Sequence, residues 1–154
     1  MQPNEELITR FYSSFQKLDA EGMNACYSEN PIFNDQVFGV IEGEDVRKMW
    51  RMLCKNARDF SLTFGNIQSV DEEYWTCNWT ARYTFSASGR KVVNNVKAHM
   101  RIQDGKITEH SDLFDIWKWS RQALGLPGVL LGWTGFMKRR IRQKALQRLD
   151  TFKA

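Results

Sequence analysis

The sequence predicts an α+β fold: a strongly bent, cone-shaped antiparallel sheet with three helices over its concave face, followed by a C-terminal helical extension. Three observations predict it. Apolar residues recur at helical spacing up to Arg58. From Phe60 the period changes to two and holds through four strand-like runs. Asp104-Gly105 then marks a tight turn between the last two of them. A run of helices followed by a run of strands builds an α+β domain.

The elements follow in order. Residues Glu5–Leu18 place Leu7, Ile8, Phe11, Phe15 and Leu18 on one helical face, with Asn4 as cap and acids in the first turn. Asp19 caps a short second helix, Ala20–Tyr27. Asn30-Pro31 ends it, because the residue before proline avoids the α region. Residues Pro31–Phe38 read as a short strand and a bend, and Gly39 and Gly43 bracket a loop. A third helix, Glu44–Arg58, carries Val46, Met49, Trp50 and Leu53 on one face. Phe60, Leu62 and Phe64 alternate in the next strand. Residues 74–86 put Trp75, Cys77, Trp79, Ala81, Tyr83 and Phe85 on one side and polar residues on the other. Lys91–Gln103 is the next strand, with Val92, Val96, Ala98, Met100 and Ile102 sharing a parity. The run after Asp104-Gly105 pairs back on it and reaches Trp119.

The tail from residue 120 differs. Gly125–Gly128 breaks the chain, and Val129–Phe136 is apolar enough to plug the cone mouth or pad an interface. Met137–Phe152 forms a basic amphipathic helix. The expected organisation is one domain overall, with residues 1–119 as the cone and 120–154 as an extension packed on it or on a second subunit.

A chain of 154 residues with 42% apolar and 26% charged residues is that of an ordinary globular domain. Six Trp, ten Phe and four Tyr are a surplus suited to pocket walls and interfaces. The net charge of +4 is concentrated in Lys138–Lys144, and the chain up to Trp117 is close to neutral. That tail reads as a membrane or nucleic-acid surface, or as the solvated face of a packed helix; its apolar stripe favours the last. Neither nucleic acid nor membrane is therefore expected as a partner. Cys26, Cys54 and Cys77 form no CxxC pair, so free buried thiols in a reducing compartment are expected. The start lacks a basic and apolar leader pattern, and no apolar run approaches the roughly 18 residues of a span, so the cytoplasm is the default.

The chemistry-bearing residues gather after the Asp-Gly turn. His110, Asp112 and Asp115 interrupt a strand, where a carboxylate facing a core is costly unless paired or protonated. Simple pairing across the turn sets Lys97 opposite Asp112 and His99 opposite His110, which allows a salt bridge to Lys97 or Arg101. A bulge would reverse that parity. Asp35 reads either as a turn aspartate capping a backbone N–H or as a carboxylate raised toward neutrality by an apolar cavity. Asp115 reads as structural, beside Lys118 and Arg121. A metal site from His99, His110 and Asp112 has no zinc-like spacing, so no metal is expected.

The order of elements, with Phe11-Tyr12, the run Leu18–Asp35, Gly43 and DGKITEHSDLFD at Asp104–Asp115, resembles the nuclear transport factor 2-like superfamily, and within it SnoaL-like and ketosteroid isomerase-like proteins. The resemblance covers Glu5–Trp119. It implies a conical pocket for a small apolar molecule, no cofactor, and a homodimer through the convex sheet face. Asp35 matches the general-base aspartate of ketosteroid isomerases, and Asp112 the catalytic acid or base of limonene epoxide hydrolase-like and SnoaL-like enzymes. The oxyanion donors of the first family fall at Phe11 and Ala98, with Tyr12 one residue off and expected to point elsewhere. The Arg and Asp of the second fall at Trp79 and Ala81. Neither set is complete in this chain. The resemblance also places His110, Asp112 and Phe114 on the cavity side with Asn94 and Val96, which requires the bulge. Phe11, Phe33, Trp79, Tyr83, Asn94, Val96 and Phe114 are then the pocket candidates. The expected activity is cofactor-independent proton transfer of isomerase, cyclase or hydrolase type on an apolar carbonyl or epoxide compound. Asp112 would be base or acid, Asp35 the second carboxylate, and His110 the partner of Asp112. The alternative is a non-catalytic module of the same fold that binds a hydrophobic ligand or a partner.

Overall fold

A computed structural model describes residues 1–153. Helix α1 (Pro3–Gln16) buries Leu7, Ile8, Phe11, Tyr12 and Phe15, and α2 (Ala20–Asn24) is capped by Asp19. Strand β1 (Tyr27–Asp35) begins earlier than its sequence pattern suggests, and a register shift between Tyr27 and Ile32 accommodates Pro31. Strand β2 (Gly39–Glu42) replaces the expected loop and pairs antiparallel with β1. Helix α3 (Glu44–Asn56) follows, then β3 (Ser61–Ser69), β4 (Tyr74–Phe85), β5 (Arg90–Gln103) and β6 (Lys106–Leu113).

The sheet order is β2-β1-β6-β5-β4-β3. The β3–β6 run is an antiparallel meander, as its alternation predicts. The sheet as a whole is mixed, however, because β1 lies parallel to β6. The meander ends on β6 beside a strand laid down before α3, and that long return fixes the parallel direction.

At the β5–β6 hairpin, Asp104 and Gly105 both adopt positive φ, 52° and 73°, as a two-residue primed turn requires. Arg101 pairs with Glu109 and Ile102 with Ile107, so Thr108 is an extra residue. This bulge sets Ala98 opposite Asp112 and Met100 opposite His110. Simple pairing of Lys97 with Asp112 is thereby excluded; Lys97 faces Leu113, and His99 faces Ser111.

Strand β6 stops at Leu113, short of the expected Trp119, because Asp115 caps a helix by accepting from the Lys118 N–H at 3.0 Å. That helix, α4 (Ile116–Leu124), leads into α5 (Leu126–Leu131) and α6 (Gly135–Thr151). The α4–α5 corner is tight. A Cβ on Gly128 would lie 2.0 Å from the Ser120 carbonyl oxygen, so only glycine permits this approach.

Two clusters form the interior. The larger unites α1, α2, α3 and the concave sheet face, with Leu149 of α6 packed against it. The smaller joins Val92 to Ile116, Trp119, Ala123, Met137 and Ile141, next to Tyr83, Phe85 and Phe114. The wide end of the cone is therefore covered by α4 and α6. Val129–Phe136, expected as plug or padding, contributes little to this cover; most of its large side chains face outward. The three cysteines are free and buried.

Trp119 ties the cover to the sheet by donating its indole N–H to the Tyr83 hydroxyl at 2.8 Å. Trp119→Ala is expected to destabilise the protein by about 3 kcal/mol in urea unfolding. A loss under about 1 kcal/mol would show that α4 is not held by this contact.

Candidate functional site

The bulge at Thr108 turns His110 and Asp112 inward, two residues apart on one strand face. Both are almost fully buried, at 1% and 3% exposure. His110 Nε2 lies 2.8 Å from Asp112 Oδ1, and its Nδ1 lies 2.7 Å from the Tyr27 hydroxyl. The Trp50 indole donates to that hydroxyl oxygen at 3.0 Å. Tyr27 is then free to donate its proton to His110 Nδ1, and His110 donates from Nε2 to Asp112. This order of donors assigns a neutral imidazole protonated at Nε2. The Trp79 indole adds a long contact of 3.5 Å to the same Asp112 oxygen.

Aromatic rings enclose the chain of hydrogen bonds. Phe33 and Phe11 meet the His110 ring edge-on at 5.1 and 5.6 Å, and Trp50 stacks at 6.2 Å. Burial pushes the Tyr27 hydroxyl well above its ordinary pKa, against the Trp50 hydrogen bond that lowers it. Tyr12 is raised likewise, by burial first and the Asp112 charge second. Contrary to the sequence expectation, Tyr12 points inward. It packs on Phe64 and Trp79, and its buried hydroxyl has no partner among the described residues.

Asp35 closes β1 nearer the covered end. Its Oδ1 accepts from the N–H groups of Val37 and Phe38 at 2.9 and 2.6 Å, which is the turn-capping geometry. Burial nevertheless raises its pKa to about 7; the Phe38 N–H opposes the shift and the Asp112 charge adds to it. The Asp35 charge in turn helps raise Tyr83, after burial of that hydroxyl. The two readings of Asp35 thus coexist in one carboxyl group.

The remaining candidates divide into two groups. Phe11, Phe33 and Trp79 surround the His110–Asp112 pair, and Val96 backs Trp79 across the β4–β5 ladder. Asn94, opposite Ala81, is half-buried on the same parity. Tyr83 and Phe114 are only partly buried and bridge the two clusters, packing both on this core and against the α4–α6 cover. His99 lies opposite Ser111 and outside this group, so it does not converge with His110 and Asp112. Tyr27 and Trp50 were not singled out by the sequence. Tyr27 lies at the end of an apparent helix, and Trp50 looks like any apolar residue of α3; their polar atoms gain meaning only across the fold.

In this conformation aromatic side chains occupy the space between helices and sheet. Two open hollows lie at the surface. One, of about 390 Å³, is a groove along β4 and β5 by Asn78, Thr80, Asn95, Lys97 and Leu113, and the candidates Trp79 and Val96 also border it. The other, of about 350 Å³, is bounded by Arg90, Lys91, Lys118, Arg121 and Gln122.

A bent sheet wrapped by helices around a buried histidine–aspartate pair has the architecture of the nuclear transport factor 2-like fold. Residues 8–110 match the SnoaL-like domain model, and the chain belongs to that family. Among solved structures, it is similar to a nuclear transport factor 2-like protein of unknown function from Burkholderia pseudomallei: 20% identity, TM-score 0.69, covering 79% of this chain and 98% of that one. A protein with a ketosteroid isomerase-like fold from Catenulispora acidiphila, in complex with trimethylamine, gives 14% identity, TM-score 0.69, and coverage of 84% and 97%. The epoxide hydrolase/cyclase-like enzyme SalBIII, of pyran ring formation in salinomycin, gives 16%, 0.65, and 73% and 91%. A comparison with curated proteins finds no match.

The raised Asp35 has a consequence for stability. Its folded pKa, about 7, exceeds the ordinary value of 3.8, so the folded state holds the proton more tightly. The stabilisation is present below the ordinary value and is lost as pH rises to about 7. Asp35→Asn is expected to flatten the fall in unfolding free energy across that window. An unchanged pH profile would show that Asp35 is solvated.

Proposed function

We propose that the protein is a SnoaL-like small-molecule pocket protein that catalyses cofactor-independent proton transfer on an apolar carbonyl or epoxide compound. The observation that carries this reading is the buried Tyr27–His110–Asp112 chain, in which a carboxylate is held inside an aromatic shell with a defined imidazole tautomer. Asp112 takes a proton from a carbon next to a carbonyl, or from the group that opens an epoxide. His110 holds Asp112 in place and tunes it, with Tyr27 fixing the tautomer. Asp35, with its raised pKa, is the second carboxyl group and can donate as well as accept near neutrality. Entry requires the α4–α6 cover at Trp119 and Ile141 to move. The buried free thiols suit a reducing compartment, the cytoplasm. The convex sheet face, with exposed Leu113 in its groove, is the proposed homodimer surface.

A second reading is a non-catalytic binding module. It is favoured by the ring packing around His110 and by Asp35 Oδ1 accepting two backbone N–H groups.

A panel of polycyclic ketones and epoxides, followed by mass spectrometry, separates the two. Turnover is expected, with Asp112→Asn slower by about a hundredfold or more. The variant should lose less than about 2 kcal/mol of stability, since charged groups set in a site for function are not placed for stability. Ligand binding without turnover by the native chain would support the second reading. A larger loss of stability would mark Asp112 as a structural partner of His110.

A further inference from the structure

Seven of the fifteen exposed large apolar side chains fall between Trp117 and Phe136. The others are scattered over the rest of the chain. Leu126, Leu130, Trp133 and Phe136 are 69, 59, 63 and 60% exposed, and Val129 and Leu131 lie between them at 44% each. Single exposed apolar residues are ordinary, but a contiguous group marks an interaction surface. Gly128, locked against Ser120, keeps the short α5 fixed with these side chains outward.

The surrounding charge is one-sided. From Ile116 onward the chain has nine Lys or Arg and one acid, Asp150; residues 1–115 have thirteen and seventeen. The net charge is thus +8 on the C-terminal segment and −4 on the body. In α6, Met137, Ile141 and Leu149 face the body, while Lys138, Arg139, Arg140, Arg142 and Lys144, which follow the Leu126–Phe136 segment in the chain, are exposed.

The basic hollow of Arg90, Lys91, Lys118 and Arg121 is linked to the Leu126–Phe136 segment through Gly125 and Trp117. A Cβ on Gly125, the residue before Leu126, would lie 3.2 Å from the Arg90 guanidinium carbon. Arg121 stacks on Trp117 at 4.4 Å, and the Trp117 indole donates to the Val129 carbonyl at 3.3 Å. Arg121 Nε is buried with no hydrogen-bond partner among the described residues.

We propose that the C-terminal segment docks on an anionic phospholipid bilayer, with Leu126–Phe136 entering the interface and the Arg90–Lys91–Lys118–Arg121 hollow receiving a headgroup phosphate. Leucine, tryptophan and phenylalanine beside lysine and arginine are the composition of an interfacial anchor. A second copy using the same face would bring two +8 segments together, which charge opposes. Nucleic acid would match the cations but give Leu126, Leu130 and Leu131 nothing to pack on. The apolar stripe of the last helix, from which the sequence argued against a membrane partner, is used up by Met137, Ile141 and Leu149 packing on the body, and it does not cover the exposed side chains of Leu126–Phe136. This inference is independent of the proposed chemistry.

The test sediments the full chain with vesicles of phosphatidylcholine, with and without phosphatidylglycerol. Binding is expected only with phosphatidylglycerol, and high salt should release it. Leu130→Asp with Trp133→Asp should weaken binding about tenfold or more. Lys118→Gln with Arg121→Gln should do the same. Arg139→Gln with Arg140→Gln, both exposed, provides a charge variant that leaves the Arg121–Trp117 stack intact and should also weaken binding. Equal binding to both vesicles, or to neither, overturns the proposal. So does an oligomer that the Leu130→Asp, Trp133→Asp variant converts to monomer while vesicles are ignored. Salt-sensitive duplex DNA binding that survives those two substitutions, without vesicle binding, overturns it in favour of nucleic acid.

Discussion

One inserted residue determines what the interior contains. Without Thr108 as a bulge, β6 would present the opposite set of side chains to the helices, and His110 and Asp112 would face outward with Lys97 and His99. With it, an imidazole and a carboxylate enter an aromatic core, and everything around them must satisfy their hydrogen bonds. The carboxylate meets His110 and the Trp79 indole; the imidazole meets Tyr27; Tyr27 meets Trp50. Each donor has an acceptor, which is the condition under which such a chain can be buried at all.

The two carboxyl groups meet burial differently. Asp112 is deep and paired with a histidine. Asp35 is paired only with backbone N–H groups, which donate to one oxygen and leave the charge insufficiently offset, so its proton is retained to about pH 7.

The C-terminal segment has two sides with different tasks. Its inner side, through Trp119, Met137 and Ile141, covers the wide end of the cone. Its outer side leaves leucines, a tryptophan and a phenylalanine in solvent amid positive charge. The polar body and the basic tail are therefore electrostatically distinct parts of one packed molecule.

The sequence by itself determined the features that neighbours along the chain control. The alternation in Tyr74–Phe85, the apolar faces of the helices, the Asp104-Gly105 turn and the inward parity of Val96 and Ala98 are local, and all appear in the structure. Resemblance of motif order then pointed to Asp112 and His110 as inward, against simple pairing. The tertiary structure decided the rest. A bulge has no composition of its own, and Tyr27 reaches His110 across 83 residues of chain. The inward turn of Tyr12, the parallel placement of β1 beside β6, and the helix that replaces the end of the last strand are equally non-local. Each depends on what distant segments leave open to be filled, and periodicity along a single segment carries no record of that.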